Sequence, residues 1–174
     1  MQRLSVIARG ILAGATGTAA MTAHQEIRQR LAPRHEQPQS PEQPSREKGE
    51  ADPWQSAPAP AQVGKRLIEG LLGRPVPAKA IPTLTQVMHW SYGSAWGGAY
   101  AIARQTARGR SRTLGPLFGL GVWAASYVQL VPIGIYEPPW SYPLSSIADE
   151  IGYHLTYGAT VAATYELLGH RDDG

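Results

Sequence analysis

A chain of 174 residues with a formal charge of +3 and no cysteine has the length of one domain, and it excludes disulfides, iron–sulfur clusters and thiolate zinc sites. Its basic residues are mostly Arg and lie beside apolar runs, not along one continuous basic face. That pattern argues against a nucleic-acid partner and suits lipid headgroups. Mean hydropathy is slightly negative only because the polar residues gather between Gln25 and Lys79.

In chain order, residues 4–25 form the first apolar run. It contains Arg9 and the small-residue series Gly10-Ile-Leu-Ala-Gly14-Ala-Thr-Gly17. Arg9 falls where the core of a secretion leader would begin, and Ala20-Met-Thr-Ala23 is a poor cleavage site, so the run reads as a span that stays in the protein. Residues 25–34 extend this helix as far as Pro33. A disordered Pro-rich linker is expected over 35–62, marked by Pro38, Pro41, Pro44, Pro53, Pro58 and Pro60. Over 63–74 the residues Val63, Leu67, Ile68, Leu71 and Leu72 share a face. This amphipathic helix is expected to lie at the membrane interface or to cap the bundle.

Residues 80–103 then run for 24 positions without a charge, and 113–136 for another 24. Between them, 104–112 carries four arginines. The last run, 145–168, has Asp149 and Glu150 near its start and Glu166 near its end. A helix of about 20 residues crosses the ~30 Å hydrocarbon layer, so four spans are expected at about 4–25, 80–103, 113–136 and 145–168. All four are rich in small residues, which let helix backbones approach closely in lipid.

The spans repeat. His89-x-x-Tyr92-Gly93 is followed seven residues later by Tyr100, and His154-x-x-Tyr157-Gly158 seven residues later by Tyr165. Each copy is preceded by a Gly-x-x-x-Gly pair, Gly10 and Gly14 in one and Gly115 and Gly119 in the other, with Gly17 extending the first. The expected fold is therefore all-α: a four-span transmembrane helical bundle made of two similar helical hairpins. An even number of spans per copy makes the copies parallel, about an axis along the membrane normal.

The Arg-rich loop 104–112, which joins the second span to the third, is expected on the cytoplasmic side together with both termini, and loop 137–143, which has no Lys or Arg, on the outer side. Tyr136, Trp140 and Tyr142 then fit an aromatic belt at the opposite interface. This topology gathers His24, Glu26, His89, Asp149, Glu150 and His154 in one half of the bundle. Glu150 and His154 are at i and i+4 and share a helix face. Ionisable groups inside a span face the bundle interior or a wet cavity.

Four readings of this cluster compete: hydrogen-bonded packing between helices, a His/Glu proton or ion relay, a metal site from His89, His154 and Glu150 with His24, and haem held by His89 and His154. No hydrolase elbow, phosphate-binding loop or His-Glu-x-x-His series occurs in the sequence. The expectation is a structural or accessory membrane protein without a cofactor. The lipid bilayer is its first partner, and a second copy or another membrane protein is the partner its glycine faces would take. The alternatives are a small proton- or ion-linked transporter and a metal or haem protein.

At Gly10-Ile-Leu-Ala-Gly14, at His89-x-x-Tyr92 with Tyr100, and across 140–155 with Glu150-Ile151-x-x-His154-Leu155, the chain resembles the YagU-like family of small bacterial inner-membrane proteins. The resemblance covers about two-thirds of the chain and omits the Pro-rich linker. It implies a multi-span protein of the bacterial inner membrane and carries no catalytic role. The linker and the Arg-rich loop depart from the family pattern.

Overall fold

A computed structural model describes residues 5–31, 52–106 and 114–170. Among them are five α-helices and no strand: α1 (Val6–Leu31), α2 (Ala59–Leu72), α3 (Ile81–Thr106), α4 (Leu114–Leu130) and α5 (Leu144–His170). Short 3-10 turns cover Ala78–Ala80 and Pro139–Ser141. The chain is an all-α helical bundle. By length and apolarity α1 is a candidate membrane span, and α4 is apolar but 17 residues long. Residues 35–51 of the expected linker and most of the Arg-rich loop lie outside the described residues.

The chain divides into two compact units. The first joins α1 to Trp90–Ala125 and Asp149–Gly174. Ser5 caps α1, its hydroxyl accepting the Ala8 N–H at 3.2 Å. From there Gly10, Ala13, Gly14, Gly17, Thr18 and Met21 are buried, a stripe at three- and four-residue spacing. The large side chains Ile7, Ile11 and Leu12 point outward. The core around the stripe holds Tyr100, Val122, Tyr153, Tyr157 and Val161, with Trp96, Phe118, Ala162 and Tyr165 against it. Aromatic edges knit it together: Phe118 meets Tyr100 at 5.0 Å and Trp96 at 6.0 Å, and Tyr100 meets Tyr165 at 5.8 Å.

The second unit comprises Pro38–His89 and Ser126–Ala148. Within it the end of the expected linker is folded: 52–56 turns, and α2 starts at Ala59, four positions before the expected 63. Pro58 at the cap and Pro60 inside the first turn suit a helix start, where a missing N–H costs no bond. Gly73 closes α2 in the left-handed conformation (φ 62°), its N–H donating to the Glu69 carbonyl. Trp54, Ala57 and Ala61 form a small core with Val76, Ile81 and Leu84.

The helix expected over 113–136 stops at Leu130. Pro132 lacks the N–H that a helix needs and crowds the preceding turn, and Gly134 turns the chain at φ 67°. The aromatic group beyond it divides: Tyr136 is buried against Tyr127, their rings 5.3 Å apart, whereas Trp140 is 84% exposed.

Candidate polar site on α1 and α5

Helix α1 pairs antiparallel with α3 through glycine. A Cβ added at Gly10 would lie 2.5 Å from the Gly97 carbonyl oxygen and 2.6 Å from the Ala101 Cβ. One added at Gly14 would meet the Gly93 carbonyl and lie 2.9 Å from the Ser94 Cα. α4 and α5 pair in the same manner, Gly115 against Ala162 and the Gly158 carbonyl, Gly119 against the His154 carbonyl. α1 also packs on α5, where a Cβ at Gly17 would meet Val161 and the Tyr157 ring.

These close approaches set polar side chains of α1 against α5. The His24 Nδ1 lies 2.9 Å from the Thr156 hydroxyl, and its ring meets Tyr153 edge-on at 5.0 Å. One turn on, the Arg28 Nε donates to the Asp149 carboxylate at 3.0 Å, with the side chains 47% and 17% exposed. Nearer the start of α1, the Thr16 and Thr164 hydroxyls lie 3.0 Å apart at an exposed position, with the Thr16 proton on the Ala13 carbonyl at 2.8 Å. The Tyr157 hydroxyl donates to the Gly93 carbonyl at 2.6 Å, tying α5 to α3.

Glu150 and His154 are 4% and 7% exposed, which makes them the site's buried ionisable pair. The His154 Nδ1 lies 2.9 Å from the backbone carbonyl of Glu150. A carbonyl only accepts, so Nδ1 carries the proton in this contact, and in the neutral ring Nε2 is the acceptor. The Trp123 indole N–H of α4 donates to the Glu150 carboxylate at 3.4 Å. The arrangement holds a proton-bearing imidazole beside a buried carboxyl group, with the Arg28–Asp149 pair one residue away.

One member of the expected cluster, Glu26, faces away from these contacts. Glu26 lies off the buried stripe of α1 and is 61% exposed, 3.5 Å from Arg30 at i+4. His89 belongs to the second unit, on α3, and is half-buried. The metal reading is not met: among the described residues no three His, Asp or Glu groups are placed to hold an ion. The repeated tyrosines also differ in role. Tyr157 is buried and bonded to Gly93, whereas Tyr92 is 37% exposed beside Trp96.

Thr156, Tyr153, Arg28 and Trp123 were not singled out from the sequence. Their signal was the four-residue spacing of His24 with Arg28 on α1, opposite Asp149, Tyr153 and Thr156 on α5. At the other end of the first unit a second charged group forms. Arg9 stacks over Tyr165 at 5.3 Å, and Arg104, 13% exposed, pairs with Glu166 at 3.7 Å. No family model, curated protein or solved structure matches this chain.

Proposed function

We propose that the protein is a small integral membrane protein of structural or accessory type, with α1, α3, α4 and α5 as its four spans. One observation carries this reading: in the first unit the helix backbones approach closely over glycine and alanine, while large aliphatic side chains face out. Ile7, Ile11, Leu12, Ile102, Leu117 and Leu167 are all 44–68% exposed. In water, this many outward Ile and Leu side chains on one unit are a liability. In lipid the same distribution is the favourable one, because close packing replaces the hydrophobic drive.

The resemblance to the YagU-like family and the Arg-rich loop belong to the same reading, with the bacterial inner membrane as location and both termini cytoplasmic. α2, with Leu67, Leu71 and Leu72 exposed, then lies in the interface. The polar groups of α1 and α5 act as interhelical ties. Reconstitution of His154→Ala in liposomes tests this role. Lower stability with no change in proton or ion flux is expected, and flux that His154→Ala abolishes in a folded protein would replace it.

That outcome is the second reading, a small proton- or ion-linked transporter. The buried Glu150 carboxyl group beside His154 favours it, since an ionisable group inside a span is costly and marks a pathway in many membrane proteins.

A further inference from the structure

The end of the first unit away from Glu150 and His154 gathers charge from three helices. Arg9 lies in the first turn of α1, which starts at Val6, and Arg104 in the last turn of α3, which ends at Thr106. Glu166 lies about one turn before the end of α5 at His170. The deeply set Arg104 stands 3.7 Å from Glu166, and the Arg9 guanidinium lies over the Tyr165 ring at 5.3 Å. Gly169 leaves that guanidinium its place: a Cβ there would lie 3.2 Å from the Arg9 Nη1. The ring face attracts the cation without neutralising it.

Among the described residues, two guanidinium groups share this end with one carboxylate. The sequence carries the imbalance further. Segments 1–9, 104–112 and 166–174 hold seven Arg against three Asp or Glu, an excess that already counts Asp172 and Asp173. Arg9 and Arg104 sit within one turn, or ~5 Å, of a helix end. In the four-span reading that is the depth of phospholipid phosphates on the side of the Arg-rich loop, where the leaflet is anionic. At the same level Ile7, Ile102 and Leu167 are 54%, 56% and 68% exposed and offer aliphatic surface to acyl chains.

We propose that Arg9 and Arg104 form a site for the phosphate of an anionic phospholipid, at the rim where α1 begins and α3 and α5 end. The inference rests on the membrane reading and names the lipid that this rim selects. A guanidinium presents a fork of N–H donors that matches phosphate oxygens, and two of them arriving from different helices can hold one phosphate from two directions. Tyr165 fixes Arg9 from behind. Glu166 competes with the phosphate for Arg104 and so limits how tightly the anion is held. A zwitterionic lipid brings the same phosphodiester together with a cation, which the excess positive charge of the rim disfavours. An anionic headgroup brings no such cation, so the preference is for net negative charge. Basic pockets between spans on the cytoplasmic side are suited to this recognition.

Native mass spectrometry of the full chain, released from micelles holding equal phosphatidylglycerol and phosphatidylcholine, reads the preference as the ratio of the two adducts. An excess of the phosphatidylglycerol adduct is expected. Arg104→Gln is expected to lower the ratio about fivefold, the worth of one arginine near a membrane surface. Glu166→Gln is expected to raise it, because the competing carboxylate is lost. If Arg104 served only to pair with Glu166, no rise would follow. Arg30→Gln removes the same charge from a side chain 80% exposed at the far end of α1 and is expected to leave the ratio unchanged. Equal falls in Arg104→Gln and Arg30→Gln, or no rise in Glu166→Gln, overturn the proposal. Displacement of phosphatidylglycerol by inorganic phosphate also overturns it, since the ligand is then a free anion. If Arg104→Gln does not fold, the direction of the Glu166→Gln change decides. Adducts of both lipids without preference reject this site and leave the membrane reading standing. A chain that carries neither lipid and stays monodisperse without detergent rejects both.

Discussion

Gly14→Ala set against Gly121→Ala isolates the close packing of α1 on α3. Both add one methyl group to a helix, and in a helix Ala is favoured over Gly by about 1 kcal/mol. At Gly121 no heavy atom lies within 4 Å of the added carbon, so the full gain is expected there. At Gly14 the added carbon would strike the Gly93 carbonyl and lie 2.9 Å from the Ser94 Cα and 3.0 Å from the Gly97 Cα. These are backbone atoms, which cannot rotate aside as the end of a side chain can. The helices must separate, and overpacking of this kind costs roughly 1–3 kcal/mol. The propensity gain is common to both, so the difference is about 1–3 kcal/mol in favour of Gly121→Ala, or roughly 2–12 °C in Tm for a chain of this size. Circular dichroism melts in one detergent read it directly. Equal melting temperatures would refute the close contact between α1 and α3.

Further outcomes follow from the polar ties. Tyr157→Phe removes the hydrogen bond to the Gly93 carbonyl and is expected to lower stability by about 1 kcal/mol, read by the same melts. His154→Leu removes the imidazole from the Glu150 carbonyl at a buried position. A loss of about 1–3 kcal/mol is expected, larger than for Glu26→Gln on the exposed face of α1, which should change stability by under about 0.5 kcal/mol. Asp149→Asn breaks the half-exposed pair with Arg28. About 0–1 kcal/mol is expected, shrinking as salt is raised, and a salt-independent effect would mean the pair is not electrostatic in origin.

The packing face of α1 was legible because glycines at four-residue spacing leave one interpretation for a helix: a surface that another backbone approaches. The register of α5 was not. The sequence repeat aligns Gly97 with Ala162, but the crossing point on α5 is Gly158, where an added Cβ would meet the Gly115 carbonyl and the Gly119 N–H, so the absence of a Cβ and not the repeat sets the register. The i, i+4 spacing of Glu150 and His154 correctly put them on one buried face. It could not tell whether the imidazole would seek the carboxylate or the carbonyl, a choice made by the rotamer. Nearness in sequence does not bring Glu26 to the face that His24 presents to α5. The stripe of α1 passes through Met21 and His24 and leaves Glu26 on the far side. Pro132 and Gly134 were visible signals for ending α4 at Leu130, and the unbroken lack of charge over 113–136 outweighed them wrongly.

The lipid reading is most directly tested by single cysteines at Ile11, Leu12 and Leu117, which are 44%, 46% and 60% exposed on the bundle surface. In a chain without native cysteine, each is probed in lipid nanodiscs with a charged, water-soluble maleimide, and Gln55→Cys, exposed in the turn before α2, serves as the reactive reference. The account expects Gln55→Cys to label rapidly and the three others to label only after denaturation. Labelling of Ile11→Cys and Leu117→Cys at the rate of the reference would place those faces in water and contradict it.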